Sequence, residues 1–178
     1  MRKACLNSIY TQAKKNNKII FIGSDLGPGV LDDFKTEFPN RFFMEGVSEQ
    51  FIIGMSAGLA LDGFLPYVNT ISTFLTRRCL EQIIVDLCMH KLPVKLIGNG
   101  GGLVYAPLGP THQAVDDIAL MRSIPNMTVL SPADCAETAH NAEKQLERRA
   151  VGERRPHTDP QPTPLGRASG EISLGGQS

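Results

Sequence analysis

The sequence has no excess of charge of either sign. Eighteen Lys and Arg balance eighteen Asp and Glu for a net charge of zero, which argues against a polyanion-binding protein, since these carry a basic excess. No apolar run approaches the roughly 18 residues a membrane span needs. The basic start, Met1-Arg2-Lys3, is not followed by the apolar stretch of a signal peptide. The four cysteines (Cys5, Cys79, Cys88, Cys135) lie far apart with no C-x-x-C pair, so they read as scattered thiols rather than disulfides or metal ligands. The expectation is a soluble cytoplasmic protein without nucleic-acid or membrane partners.

What is present is a chain of 178 residues with 42% hydrophobic and 20% charged content, ordinary for one globular domain. Short apolar runs recur at 18–23, 41–44, 65–69, 93–98 and 127–130, two of them closed by glycine, as buried parallel strands are. Between them lie helical periodicities. Ser48–Leu61 groups Phe51, Ile52, Met55, Leu59 and Ala60, with small residues for close packing. Thr73–His90 places Leu80, Ile83, Ile84, Leu87 and Cys88 on one stripe. Ala133–Leu146 opens behind Ser131-Pro132, read as a cap and first-turn proline. Five such alternations predict a doubly wound α/β fold, its mostly parallel sheet flanked by helices. Residues 1–147 form the expected domain. From 148 to 178 the chain is rich in Pro, Gly, Ser, Thr and Arg, has no aromatic residue, and reads as a disordered tail.

In such a fold ligands bind beyond the carboxyl ends of the strands, which selects three segments. Glu49 follows a strand and opens a helix, where a carboxylate faces the ligand edge and meets the helix N-terminus favourably. Taken alone, it is more often a first-turn glutamate behind a Ser48 cap. In Thr70–Arg77 a strand passes into a helix, with Phe74 and Arg77 on one face. The ring could stack on a flat heterocycle and the guanidinium could hold an anion, although such a Phe is more often core. Gly98–Gln113 is a long glycine-rich connection that is neither a P-loop nor a dinucleotide fingerprint. His112, before Asp116-Asp117, is a proton-carrier candidate whose plainer role is structural hydrogen bonding.

Together, Gly46-Val47-Ser48-Glu49-Gln50, Ser72-Thr73-Phe74-Leu75-x-Arg77 and Gly109-Pro110-Thr111-His112-Gln113, followed by Met121-Arg122-Ser123-Ile124-Pro125-Asn126-Met127, resemble the central pyrimidine-binding domain of transketolases and deoxyxylulose-phosphate synthases. The likeness covers roughly residues 1–147, and its last block is the most specific. It implies thiamine diphosphate as cofactor, Glu49 as the catalytic residue that hydrogen-bonds and activates it, and Phe74 stacked on the pyrimidine. It also implies His112 facing substrate in a catalytic role and Arg77 holding a substrate phosphate.

Three positions depart from that pattern. Phe51 stands where the family carries a histidine, Leu108 where it has an aspartate, and Ile71 where the synthases have a tyrosine. The Gly-Asp-Gly…Asn motif that holds diphosphate and Mg²⁺ has no counterpart; Leu61-Asp62-Gly63 lacks the first glycine. The resemblance therefore implies a separate diphosphate-binding domain or subunit holding Mg²⁺, a sugar-phosphate-like substrate, and a homodimer or heterotetramer transferring two-carbon units. Alternatives are a β-subunit-like component of a 2-oxoacid dehydrogenase, a non-catalytic truncated interaction module, and, on fold class alone, a nucleotide-binding domain.

Overall fold

Both faces of the sheet are covered, and the alternation of side chains along its two central strands shows why. The computed structural model describes residues 2–24, 29 and 31–141. Strand β1 (Ile19–Gly23) is buried along its whole length. Ile20 and Ile22 enter one apolar cluster and Ile19 and Phe21 the other, so the run reads as continuously apolar because neither face meets water. Strand β3 (Leu65–Ile71) divides in the same way, with Val68 on the first side and Leu65 and Tyr67 on the second. Strands β2 (Phe42–Met44) and β4 (Lys95–Asn99) flank them in the order β2-β1-β3-β4, all parallel. The expected doubly wound α/β architecture is thus present.

Helix α1 (Arg2–Lys15) buries Leu6, Ile9, Gln12 and Ala13 and carries Lys14 and Lys15 in its last turn, where cations suit the helix dipole. It packs on the second face beside α2 (Asp32–Glu37), whose Phe34 is fully buried. Neither helix was expected. On the first face lie α3 (Glu49–Leu61), α4 (Ser72–Thr76), α5 (Leu80–Gln82) and α6 (Asp117–Arg122).

Three expectations need correction. Residues 127–130 form no strand, and the sheet has four strands among the described residues. Met127 and Val129 pack against the core as irregular chain instead, because a run as short as Met127-Thr128-Val129-Leu130 carries the same pattern whether it pairs or merely packs. The helix expected over Thr73–His90 is broken: a turn at 77–79 separates α4 from α5, which runs into a π-helical stretch, Ile83–Cys88. The expected stripe survives the break, since Ile83, Leu87 and Cys88 are buried and Leu80 and Ile84 pack against them. Finally, the last helix begins at 135 and is described to 141. Its cap is Asp134, not Ser131: Asp134 Oδ1 accepts from the Glu137 amide at 2.8 Å, and Glu137 Oε2 from the Ala133 amide at 2.8 Å. The proposed tail, 148–178, lies outside the described residues.

No helix among the described residues is long and apolar enough to cross a membrane. None of the four cysteines is disulfide-bonded; Cys79 and Cys88 are buried and Cys135 is exposed.

Candidate active site

Strand order reverses between β1 and β3: the chain runs outward from β1 to β2, then returns to the other side of β1. Ligands in open α/β sheets collect at the carboxyl ends of such a pair. Ser24 follows directly on β1 and Thr70 lies near the end of β3, and their hydroxyls meet at 2.6 Å. Ser24 Oγ also donates to Glu49 Oε1 at 3.3 Å. Glu49 is 5% exposed, so a carboxylate sits at the reversal point, aimed by two hydroxyls from the central strands. Ser48 occupies the N-cap position, but its hydroxyl donates to the Glu45 carbonyl. The simple cap-and-glutamate reading therefore does not describe this helix start.

The other oxygen of Glu49 faces a residue that no sequence motif singles out. Arg78 Nη1 donates to Glu49 Oε2 at 3.2 Å. The same guanidinium lies over the Phe74 ring, 3.6 Å from its centroid. The Arg78 carbonyl accepts from Gln50 Nε2 at 2.8 Å, which pins the turn between α4 and α5 to the start of α3. Phe74 and Arg78 are four residues apart, and i, i+4 is a helical neighbour spacing; that signal was legible beside the i, i+3 spacing to Arg77. An open cleft of about 390 Å³, lined by Val47, Ser48, Glu49, Gln50, Phe51 and Arg78, lies in front of this group.

His112 packs edge-to-face with Phe74, ring centroids 4.9 Å apart at 69°. Its Nδ1 shares a hydrogen bond of 2.9 Å with Thr111 Oγ1. Glu49, Phe74 and His112 are therefore brought together, with Arg78 joining the first two. Arg77 points into a different network. Its Nε donates to both oxygens of Asp116 at 3.0 Å, Nη2 to the Gln113 carbonyl at 2.8 Å, and Nη1 to the Pro110 carbonyl at 3.4 Å. Two more ties run alongside: Thr73 Oγ1 to the Thr111 carbonyl at 3.0 Å and Ser72 Oγ to Asp117 Oδ2 at 2.8 Å. The glycine loop is held over the start of α4 by these bonds and closed on itself by a bridge between Gly102 and Ala114. Its floor needs a glycine at Gly100, where φ is +70° and a Cβ would fall 2.0 Å from the Tyr105 ring.

The Arg77 guanidinium holds the Asp116 carboxyl below its ordinary value of 3.8. A carboxyl lowered in the folded state contributes stability that is fully present above the unfolded value and is lost as pH falls through the folded one. The tether therefore operates at neutral pH. Arg77→Ala removes it. Amide exchange at Gly102 and Ala114, whose mutual bonds close the loop, is expected to speed by roughly tenfold at pH 7 while Phe21 and Val68 stay slow. Unchanged exchange at those two amides would contradict the tether.

Near Glu49, burial first and the Glu49 charge second push the Cys79 thiol up to about 12, which makes it an inert core thiol at neutral pH. Phe51 and Leu108 are 59% and 60% exposed, and Ile71 is half-buried at the end of β3. Asp62 is the C-cap residue of α3, followed by Gly63 at φ +91°, so Leu61-Asp62-Gly63 is a helix terminus. No group of three or more His, Cys, Asp or Glu placed to hold a metal occurs among the described residues.

Comparison with known proteins places this geometry in a family. The family model for the transketolase pyrimidine-binding domain matches residues 1–156. The chain is 40% identical over 135 residues to the 1-deoxy-D-xylulose-5-phosphate synthase of Syntrophus aciditrophicus, covering 75% of this chain and 20% of that protein. It is 36% identical over 138 residues to an apulose-4-phosphate transketolase subunit of Phocaeicola vulgatus, covering 77% of this chain and 44% of that one. Among solved structures, a split-gene transketolase described as an inactive beta4 tetramer superposes with a TM-score of 0.73 at 37% identity, over 82% of this chain and 46% of the other. The chain thus spans a fifth of the synthase's length and under half of the two transketolase chains.

Proposed function

The chain belongs to the transketolase pyrimidine-binding domain family, and we propose that it supplies the pyrimidine-binding half of a thiamine-diphosphate enzyme moving a two-carbon unit between sugars. The observation that carries this reading is that a buried carboxylate and an aromatic ring meet the same flat group, the carboxylate by a hydrogen bond and the ring by its face. That group is the Arg78 guanidinium, planar and rich in N–H donors, which bonds Glu49 and covers Phe74. A planar nitrogen heterocycle fits the same two partners.

Bound there, thiamine diphosphate supplies the electron sink that sugar cleavage requires. The chain's own residues orient and place protons. Glu49 Oε2 holds the proton shared with a ring nitrogen, while Ser24, backed by Thr70, fixes Oε1. Phe74 stacks on the ring and sets its plane. His112, packed against Phe74 with Nδ1 tied to Thr111, offers Nε2 to substrate. Arg77 secures the loop that carries His112, and its Nη1, with only the long 3.4 Å contact to Pro110, remains the donor for a substrate phosphate. Phe51 and Leu108 replace polar contacts, so the acceptor is read by fewer hydroxyl-specific bonds than in the sugar-phosphate enzymes.

Diphosphate and Mg²⁺ belong to a separate domain or subunit. Val47, Phe51, Leu103, Val104 and Leu108 are large apolar residues left exposed in the cleft wall and the glycine loop, which supports a partner docking there. The description of one relative as an inactive beta4 tetramer supports the further reading that this chain alone self-associates without activity.

The test is to purify the tagged chain gently from the cells that make it and assay bound thiamine diphosphate. A companion polypeptide with a Gly-Asp-Gly…Asn motif, cofactor in the complex, and ketose-dependent turnover are expected. Turnover of a 2-oxoacid instead of a ketose would move the assignment to a dehydrogenase β subunit. A chain recovered without companion or cofactor would overturn it.

A further inference from the structure

We infer that Arg78 is a built-in occupant of the pyrimidine seat, a side chain that must swing out before the cofactor ring can enter. The inference rests on the reading of Glu49 and Phe74 as that seat. Three observations converge on it. Arg78 makes both contacts the ring would make, a hydrogen bond to Glu49 Oε2 at 3.2 Å and a face contact on Phe74 at 3.6 Å. The match is chemical as well as spatial, because a guanidinium is flat, donates N–H bonds in its plane and stacks on aromatic faces. The side chain is also free to leave. It is 42% exposed where Glu49 is 5% exposed, it borders the cleft, and its anchoring is through its backbone carbonyl to Gln50. Rotation about the side-chain bonds moves the charge into solvent without disturbing the turn.

The arrangement neutralises a carboxylate that would otherwise stand buried and unpaired in the chain without cofactor, a costly state. It has a second consequence. Pyrimidine binding must compete with the arginine, so the chain without its partner holds the ring weakly. The cofactor's remaining binding energy, from its diphosphate on the partner, then decides whether the seat opens. The occupant couples cofactor loading to partner assembly.

The test uses the full chain and thiamine as probe, followed by calorimetry and by NMR of arginine side-chain signals. In the wild-type chain the Arg78 Nε–H signal carries a ring-current shift from Phe74, and saturating thiamine is expected to abolish it. Arg78→Ala is expected to bind thiamine about tenfold tighter, the scale of a stacked, charge-assisted contact. Arg78→Lys keeps the charge near Glu49 but loses the flat face, and should fall between; it also serves if the alanine variant, with Glu49 unpaired, folds poorly. Glu49→Gln should weaken binding in every background. Thiamine binding that needs Glu49 but is unchanged or weaker in Arg78→Ala, with the ring-current shift retained, would overturn the occupant role and leave the seat intact. Absence of any Glu49-dependent thiamine binding, in all variants, would overturn both the occupant and the seat.

Discussion

Replacing Glu49 by glutamine should reduce turnover of the assembled enzyme by about 10²–10⁴-fold, the contribution of a positioned proton-transfer group. The substitution keeps the side chain's shape and removes its capacity to hold a proton between carboxyl and ring. Ser24 and Thr70 still bond one another, and Ser24 can still donate to the amide oxygen. Arg78, released from its ion pair, is exposed enough to turn to water. The fold should therefore survive, with a melting temperature within a few degrees of wild type, and this separates a chemical defect from a structural one. Cofactor retention in the complex should drop much less than turnover, because stacking on Phe74 and the partner's hold on the diphosphate remain. Steady-state kinetics on the reconstituted complex, alongside thermal melts of both forms, decides the point. A loss of turnover below a few fold would remove Glu49 from the chemistry.

The candidate site was readable in the sequence where function and local structure share a signal. Glu49 stands at a strand-to-helix junction, which α/β topology makes a ligand position, and the structure puts it where the strand order reverses. Phe74 and His112 were marked by the motifs around them, and their rings meet. Arg78 was harder to read. Its i, i+4 spacing allows the contact with Phe74, but nothing local marks it as the partner of Glu49, 29 residues away, across the turn at 77–79. That turn depends on tertiary contacts such as Gln50 to the Arg78 carbonyl, which local propensity does not encode. Ser24 was hidden in the same way, since a serine after a buried strand looks like the start of a loop.

The fold followed the same division. Strand β1 was legible because burial on both faces makes its sequence continuously apolar; β2, β3 and β4 showed as shorter apolar runs, with Asn69 and Thr70 in β3 and Lys95 and Asn99 in β4. Residues 127–130 are also mostly apolar but meet no paired neighbour, and Met127 and Val129 pack on the core as irregular chain. Helix α1 escaped notice because its buried stripe is made partly of Gln12 and Ala13, with charged residues at both ends. Its amphipathic contrast is shallow, so the face it buries is set by the sheet it covers.

The second large effect concerns the half of the core that touches no ligand. Phe34→Ala is expected to cost about 3–5 kcal/mol of stability. Phe34 is fully buried in α2, with ring centroids of Tyr10, Phe21, Phe38 and Phe42 at 5.8, 6.1, 5.7 and 5.7 Å. Five rings from α1, α2, β1, β2 and the intervening turn converge there, and an alanine leaves a void that none of them can fill without moving a backbone element. Against a total of about 5–15 kcal/mol for a domain, the loss should lower the melting temperature by roughly 10 °C or more. The urea midpoint should fall with the slope unchanged. The cluster lies on the opposite face of the sheet from Glu49, Phe74 and Arg78. It reaches the site through the central strands: β1, which ends at Gly23 and presents Ser24 to Glu49, and β3, which carries Thr70 against Ser24. At temperatures where the variant stays folded, its thiamine affinity should therefore match wild type within about twofold, a difference of only ~0.4 kcal/mol. The contrast with Glu49→Gln is the point: one change removes stability and spares the seat, the other spares stability and removes the reaction. If Phe34→Ala lost affinity in proportion to its stability, the two faces of the sheet would be one cooperative unit with the site, and the occupancy of the seat by Arg78 would have to be explained from the whole core.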